Sequence, residues 1–187
     1  MSEKLIERDR YAKIDVNSEI RKPTFEENST LPFLGKNYPL KIFTREARNS
    51  ISFVDAQFIV NTWPSKNVTA QYVEKLYEHW LMKVARPILK NKVETYSEKL
   101  DIIKPEKIAI KRLKKRWGSI SKKGDAINLN AHLVKAPEDV VNYIVLHEIC
   151  HLKIKEHSHH YWELLHKFMP DYKEKASWLD INGGNLL

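Results

Sequence analysis

The segment from Pro137 to Ile154 is predicted to be a helix, and apolar residues occupy nearly every side of it. A helix that is apolar almost all round is normally the buried central helix of a domain. Pro137 suits the first helical turn, and the carboxylates of Glu138 and Asp139 complement the positive end of the helix dipole. The pattern therefore predicts a buried helix whose apolar positions are Val140, Val141, Ile144, Val145, Leu146, Ile149 and Leu152.

A second, longer helical pattern precedes it. Aromatic and aliphatic residues recur at helical spacing from about residue 68 to residue 100. Ser65 or Asn67 can cap this helix. Pro87 is expected to kink or break it, because proline lacks a backbone N–H and clashes with the preceding turn.

Short runs rich in β-branched and aromatic residues predict strands on both sides of the long helix. Before it, LPFLGKNYPLKIF predicts a hairpin that turns at residues 35–37, and residues 51–60 predict a third strand. After it, residues 107–120 predict strand structure that turns at residues 122–125 and returns as AINLN.

Two shorter helices are predicted after the central one. Ser158 can cap the first, which Pro170 ends. Asp171 can cap the second, and Gly183 and Gly184 are expected to close it.

The composition limits the classes of protein that this chain can represent. Its 187 residues suffice for one well-packed domain and are too few for two of ordinary size. The single cysteine, Cys150, excludes a disulfide framework and fits a reducing compartment. No run of about 18 apolar residues predicts a membrane span, and the charged N-terminus lacks the apolar segment of a signal peptide. A cytoplasmic protein without membrane contacts is expected.

The central helix carries His147, Glu148 and His151 in the order H-E-x-x-H. Residues four apart lie on one helix face, so the two imidazoles can point at one zinc ion. Zinc lowers the pKa of a coordinated water toward about 7, and Glu148 can act as the general base that takes its proton. The alternative is a pair of buried histidines satisfied by core hydrogen bonds, with Glu148 at the surface. Unpaired polar groups would be costly among these apolar neighbours, which favours metal binding.

A catalytic zinc site usually has three protein ligands. His157 stands six residues after His151, just beyond the predicted end of the helix, where a turn of the chain can bring it to the metal. The longer motif H-E-x-x-H-x-x-G-x-x-H has the same spacing, but Ile154 replaces its glycine. The other candidates after His151 are His159, His160, His166, Glu163 and Glu174.

These patterns predict an α+β fold with one domain at residues 31–187. It would contain a small antiparallel sheet packed on helices, including the central H-E-x-x-H helix. We expect a small β region at residues 31–64, a long broken helix at 65–104 and a metal-site core at 105–187. Residues 1–30 are weakly patterned and are predicted to form an N-terminal arm.

The excess of basic residues favours anionic partners. There are 32 lysines and arginines against 24 acidic residues, giving a net charge of +8, and the densest basic run is residues 111–116. One interpretation is a strip that binds the phosphates of nucleic acid, with Trp117 available for stacking. The other, which composition alone favours, is an edge strand that its lysines protect from pairing.

Several short motifs occur together in one order. They are R-W-G-S at 116–119, G-D-A-I-N-L-N at 124–130, Y-I-V-L-H-E-I-C-H-L at 143–152, H-S at 157–158, Y-W at 161–162 and M-P-D-Y at 169–172. Together they resemble the YgjP-like metallopeptidase family over about residues 65–182, and LPFLGKNYPLKI matches more loosely. Ile120 departs from the cysteine that many members have after W-G-S, and the first 30 residues do not resemble the family's usual start.

This resemblance implies a zincin-like domain related to the SprT-like proteases, with Glu148 as general base or acid. It also implies that Arg116 and Trp117 border the active-site cleft, which makes them candidate substrate-binding residues. One Zn²⁺ is the expected cofactor, although nickel or cobalt fits the same ligands. The implied metal ligands are His147, His151 and His157.

Three functions follow from these expectations. The first is peptide hydrolysis by a metal-activated water, with Arg116, His160 or Tyr161 as candidates to stabilise the oxyanion. The second is a nucleoside triphosphate pyrophosphatase acting on UTP, an activity that the resemblance also suggests. It would use the basic run to hold phosphates, but no carboxylate cluster for Mg²⁺ is evident. The third is a nucleic-acid-associated module, whose structural zinc would need a fourth ligand.

Overall fold

The structure is a computed structural model that describes residue 20 and residues 22–44, 49–63 and 68–187. The α+β class predicted from the sequence is confirmed within these ranges. None of the described helices is both long and apolar enough to cross a membrane. The elements are β1 Thr30–Phe33, β2 Lys36–Phe43, β3 Ser50–Val54, β4 Gln57–Asn61, α1 Ala70–Lys99, β5 Lys107–Lys111, β6 Gly118–Ile120, β7 Ala126–Asn130, a 3₁₀ helix Ala131–Lys135, α2 Glu138–Lys153, α3 His159–Phe168 and α4 Tyr172–Leu186.

The first sheet has the strand order β1-β2-β4-β3. The predicted hairpin is present as β1–β2, with φ of 46° at Leu34 and 78° at Gly35, as a tight two-residue turn requires. Residues 51–60, predicted as one strand, instead form the hairpin β3–β4, because the chain reverses at Asp55 and Ala56, where φ is also positive. β2 and β4 run parallel, so this sheet is mixed and not antiparallel throughout.

The β1–β2 turn fastens the first sheet to the segment that leads into α2. The Leu34 N–H donates to the carbonyl of Val134 at 2.8 Å, and the Gly35 N–H donates to that of Lys135 at 3.0 Å. A Cβ on Gly35 would lie 2.7 Å from the Cα of Pro137, so only glycine permits this approach. The sheet therefore helps to fix the position at which α2 begins.

The long helix α1 is continuous where a break was expected. Pro87 lies inside it and leaves the carbonyl of Lys83 without its usual helical donor. A stripe of buried apolar residues nevertheless continues along α1 on both sides of Pro87. The free energy gained by packing this stripe exceeds the cost of the missing hydrogen bond. The buried apolar members of that stripe are Val73, Tyr77, Leu81, Ala85, Leu89 and Val93.

The N-cap of α1 is Thr69, whose hydroxyl accepts a hydrogen bond from the Tyr72 N–H at 3.2 Å. A β-region backbone at Thr69 and this side-chain bond together satisfy one of the unpaired N–H groups of the first turn. Ser65 and Asn67, the predicted caps, lie outside the described residues.

The second sheet has the order β5-β7-β6. β6 and β7 form the predicted antiparallel pair around the turn at residues 121–125. β5, however, runs parallel to β7, so the two strands β5 and β6 flank β7. Residues 112–117 are the loop that carries the chain across, which corrects the prediction of strand structure throughout residues 107–120.

The central helix α2 is present as predicted, and it packs against α1, α3, α4 and β6. α3 begins after Ser158 and α4 after Asp171, at the predicted N-cap positions, but neither side chain makes a capping hydrogen bond. The predicted closure of α4 at Gly183 and Gly184 is wrong, because the helix continues to Leu186. Both glycines are helical, so they do not act as a C-terminal stop.

Part of the predicted N-terminal arm packs onto the body of the domain. Ile20 is buried; its N–H donates to the Asn182 side-chain oxygen at 3.2 Å, and its carbonyl accepts from the Asn185 amide at 2.9 Å. The Glu27 carboxylate accepts a hydrogen bond from the Ile42 N–H at 2.5 Å. Residues 1–19 and 21 lie outside the described residues.

A group of charges around the buried Glu78 carboxylate joins four parts of the fold. The Glu78 carboxylate lies 2.7 Å from His132 Nε2, 3.2 Å from Arg112 Nε and 3.5 Å from Lys135 Nζ. Lys135 also donates to the carbonyl of Leu186 at 2.9 Å, which ties α4 to this cluster. Burial alone would raise the pKa of Glu78, but the His132 hydrogen bond and the charges of Lys135, His132 and Arg112 lower that pKa below its usual value.

The substitution Glu78→Gln is expected to lower the free energy of unfolding by about 3–5 kcal/mol at neutral pH, the usual cost of breaking a buried ion pair. Because the pKa of Glu78 is lower in the folded state, its carboxylate stabilises the protein above the unfolded pKa of about 4.3. That contribution is lost as the pH falls through the folded pKa. Urea unfolding between pH 7 and pH 3 measures this loss.

The stability gap between wild type and Glu78→Gln should narrow steadily on the acid side. Glu98→Gln, at an exposed position of α1, is the control and should leave both the stability and its pH dependence almost unchanged. A gap of the same size at pH 7 and pH 3 would contradict the assignment of Glu78 as the titrating group.

Candidate metal centre

Three imidazole rings converge on one point beside α2. The Nε2 of His157 lies 3.1 Å from the Nε2 of His151 and 3.2 Å from the Nε2 of His147. One nitrogen from each ring lies within 4.8 Å of the others. Nitrogens bound about 2.1 Å from a tetrahedral zinc ion are roughly 3.4 Å apart, so the spacing of these donors fits a divalent ion.

The chain brings His157 to the other two rings by leaving the helix in an extended conformation. His147 and His151 lie one turn apart on α2, as their spacing predicted. Ile154 then has φ −132° and ψ 105°, a backbone that any residue can adopt. No glycine is needed at this position, which explains how Ile154 replaces the glycine of the longer zincin motif.

Aromatic side chains of α3 hold the three imidazoles. The Tyr161 ring stacks on His151 with centroids 4.6 Å apart, and the Trp162 ring stacks on His157 at 5.4 Å. The Tyr161 hydroxyl donates to the carbonyl of His147 at 2.9 Å. Burial raises the pKa of Tyr161 well above its usual value, so this hydroxyl remains a donor.

The protonation of the imidazoles suits metal binding. Burial, followed by the neighbouring His151 and His157, lowers the pKa of His147 to about 4, and burial also lowers the pKa of His151. The Nδ1 of His151 lies 3.2 Å from the carbonyl of Ile154, which favours a proton on Nδ1 and leaves Nε2 as the electron-pair donor. Neutral rings with free Nε2 atoms are the form that ligates a metal.

Glu148 lies within the core beside this triad. It is 7 % exposed, so the alternative that placed it at the surface is not supported. Burial raises the pKa of Glu148 to about 7, although the positive charge of Arg116 opposes the shift. A carboxylate that titrates near neutral pH can both accept and return a proton.

The side chain of Glu148 occupies space that any residue other than glycine would need at position 118. A Cβ on Gly118 would lie 2.6 Å from both Cγ and Oε1 of Glu148. Gly118 begins β6, so the strand passes directly over the carboxylate. The glycine of the R-W-G-S motif is therefore required by the position of Glu148.

The triad and Glu148 open into a cleft of about 480 Å³ between two walls. One wall is β6 with the β6–β7 turn, and the other is α2 with the segment that follows it. The cleft is lined by Gly118, Ser119, Ile120, Ser121, Lys122, Lys123, Gly124, His147, Glu148, His151, Leu152, Lys155 and His157.

The remaining candidate ligands lie away from the triad. His159 and His160 contact Glu163, each at 3.2 Å, on the exposed side of α3. The His166 ring lies beside Tyr172 and not beside the triad. Glu174 is exposed at the start of α4, near Lys175. Of the six candidates after His151, the structure brings only His157 to the other two imidazoles.

Arg116 and Trp117, the candidate substrate-binding residues, are not in the cleft lining. Arg116 is exposed, and its charge acts on Glu148. The Trp117 indole packs on α4, where a Cβ on Gly183 would be 3.3 Å from Cζ2. Two of the three candidate oxyanion donors are committed elsewhere: the Tyr161 hydroxyl to the carbonyl of His147, and His160 to Glu163.

Sequence reasoning missed several residues that shape the site. Gly118 was visible only as part of a motif, because no pattern indicates which side chain a glycine must accommodate. Lys122 and Lys123 were treated as turn residues, and Lys155 was not singled out. The sequence contained one usable signal, since Gly118 lies in R-W-G-S and the two lysines lie between that motif and G-D-A-I-N-L-N.

A family model described as YgjP-like, metallopeptidase domain matches residues 3–182 of the chain. The chain belongs to the YgjP-like family. It is accordingly a metal-dependent hydrolase. The match includes most of residues 1–30, which corrects the expectation that the first 30 residues differ from the family's usual start.

Two solved structures are similar to part of this YgjP-like chain. The metallopeptidase zymogen of Pyrococcus abyssi abylysin is 27 % identical, with 48 % of this chain and 87 % of that chain covered and a TM-score of 0.43. The metallopeptidase zymogen of Methanocaldococcus jannaschii jannalysin is 29 % identical, with 50 % and 92 % covered and a TM-score of 0.44. No curated protein matches the chain.

The substitution Gly118→Ala tests the contact between β6 and Glu148. Its methyl group would overlap the carboxylate, so Glu148 must move while the histidines remain in place. A displacement of about 1 Å can lower a catalytic rate about 100-fold. We expect a loss of that order in hydrolysis by the metal-loaded protein, with bound metal unchanged.

Gly184→Ala is the matched control, because a Cβ there meets no atom within 4 Å. It should keep full activity and be slightly more stable, since alanine is the better helix former. Equal activity of Gly118→Ala and wild type would show that Glu148 does not depend on this contact.

Proposed function

We propose that this protein is a zinc-dependent metallopeptidase in which Glu148 is the general base. The ligands would be His147, His151 and His157. The observation that carries this proposal is the convergence of three Nε2 atoms beside a buried carboxylate at the floor of an open cleft. Three imidazole ligands suit zinc and leave a fourth position free, as in catalytic and not structural zinc sites.

The chemistry divides between the ion and the protein. A bound divalent ion polarises the scissile carbonyl and makes water more acidic. Glu148 takes the proton from the attacking water and later delivers it to the leaving amine. Burial raises its pKa to about 7, and a bound cation would lower that pKa, so the carboxylate form that accepts the proton is present at neutral pH. Gly118 and the surrounding core keep the carboxylate at the floor of the cleft.

The shape of the cleft favours a peptide substrate. β6 is the last strand of its sheet, and its residues line the cleft. An extended peptide can pair with the free side of such an edge strand, which holds its backbone in a fixed register. This arrangement would carry the scissile bond past Gly118 and hence past Glu148.

The other two candidate functions have less support. Enzymes that act on triphosphates usually bring Mg²⁺ on carboxylates, and Glu148 is the sole acidic residue among those described as lining the cleft. A nucleic-acid module would use the run at residues 111–116, yet Arg112 contacts Glu78 and the Trp117 indole packs on α4. These side chains are already engaged within the domain.

The substitution Glu148→Gln should remove the general base and leave the three imidazoles intact. We expect peptide hydrolysis to fall about 10²–10⁴-fold, the usual contribution of a general acid–base residue, while bound zinc stays at the wild-type level. The assay follows cleavage of an unstructured protein and release of product from a panel of nucleoside triphosphates. Retention of peptide hydrolysis in Glu148→Gln would refute the proposal, and selective loss of UTP hydrolysis would support the pyrophosphatase instead.

The substitution His157→Ala should weaken metal binding at the triad. Zinc added to the metal-free wild type is expected to raise its melting temperature, because a ligand that binds the folded state stabilises it. His157→Ala should show a much smaller rise. His166→Ala, at an exposed position of α3, should respond as the wild type does. An undiminished zinc response in His157→Ala would exclude His157 as a ligand.

A further inference from the structure

Three exposed lysines line the cleft. Lys122 and Lys123 lie in the β6–β7 turn, and Lys155 lies in the segment between α2 and α3. They therefore stand on both walls of the same cleft. The Lys155 ammonium donates to the carbonyl of Lys122 at 3.2 Å, which links the two walls directly.

The positive charge of these lysines is not offset within the cleft. The chain has 24 acidic residues, but among the described residues that line the cleft Glu148 alone is acidic. Asp125 belongs to the same turn, and its carboxylate accepts a hydrogen bond from the Ser121 hydroxyl. Within the described parts of the chain, no ion pair joins Lys122, Lys123 or Lys155 to a carboxylate. A concave surface with one sign of charge raises the local concentration of ligands of the opposite sign.

We propose that these three lysines select peptides that carry acidic side chains near the scissile bond. The inference rests on the proposed peptidase function. Lys122 is four residues after Gly118, so the two Cα atoms are at most about 13 Å apart, the length of four residues of extended strand. An extended substrate beside β6 has the same rise, so its acidic side chain would lie within about four residues of the bond that is cleaved.

The size of the preference follows from the exposure of the lysines. An ion pair between exposed groups changes an equilibrium by up to about fivefold, and salt weakens it. With two or three such contacts, kcat/KM is expected to be about tenfold higher for peptides with an acidic side chain than for peptides with a basic one at low ionic strength. The preference should decline when the salt concentration is raised from about 0.05 M to about 0.5 M.

The test uses quenched fluorescent peptides that differ at one position, occupied by Asp, Asn or Lys. The position is scanned over four residues on each side of the cleavage site, with the zinc-loaded full chain as enzyme. Wild type should cleave the Asp peptides about tenfold faster than the Lys peptides at one or more positions. The triple variant Lys122→Glu/Lys123→Glu/Lys155→Glu should reverse that order, and the corresponding triple arginine variant should keep it.

The matched control is Lys75→Glu/Lys83→Glu/Lys173→Glu. It changes the net charge of the protein by the same amount, at exposed positions that do not line the cleft. Its substrate preference should equal that of wild type. A preference that changes equally in both triple variants would show that overall charge, and not the cleft, selects the substrate.

The remaining outcomes separate this inference from the proposed function. Equal cleavage of Asp and Lys peptides at every position, or an unchanged preference in the cleft triple variant, overturns the inference and leaves the peptidase intact. Failure of the zinc-loaded wild type to cleave any peptide overturns both. If that protein instead hydrolyses UTP, and the cleft triple variant does not, the lysines bind phosphates and the acidic-peptide assignment is wrong.

Discussion

Mutual repulsion among three imidazole nitrogens is the constraint on which the site depends. The Nε2 atom of His157 lies 3.1 Å from that of His151 and 3.2 Å from that of His147, and a proton on Nδ1 of His151, beside the Ile154 carbonyl, leaves its Nε2 lone pair directed at the other two rings. Lone pairs directed at one point repel one another unless a proton or a cation lies between them. Packing must hold them in place, and the Tyr161 and Trp162 rings supply it. In the proposed function a bound ion would relieve this repulsion, so ion affinity and domain stability would be coupled.

The rest of the fold holds α2 so that the ligands cannot relax away from one another. The β1–β2 turn fixes its start through Gly35 and Pro137, and α1, α4 and β6 pack around its length. The ion cluster around Glu78 joins α1 to the 3₁₀ helix that leads into α2. Two of the three imidazoles therefore lie on an element that is fixed on several sides. Such an arrangement keeps donor atoms in position more accurately than a loop would.

The sequence predicted those features that depend on local spacing. The four-residue interval in H-E-x-x-H determines that two imidazoles share a helix face, and a helix apolar all round must be central. The sequence indicated that a turn could bring His157 to the other two imidazoles. It did not indicate the extended backbone at Ile154 that does so. Other outcomes depend on tertiary packing. Pro87 remains helical because the stripe of buried residues on α1 continues past it. Residues 51–60 form two strands because the chain reverses at Asp55 and Ala56.

The adjacent residues Trp117 and Gly118 show why the R-W-G-S segment has both a very large and a very small side chain. The indole of Trp117 fills the space beside Gly183 on α4, while the missing side chain at Gly118 leaves room for Glu148 on α2. One strand end thus contacts two helices, and the size of each residue is set by a different neighbour. Because the Trp117 indole packs on α4, the proposed selection of substrate is assigned to residues that face the cleft. The β6–β7 turn and the segment after α2 supply such residues.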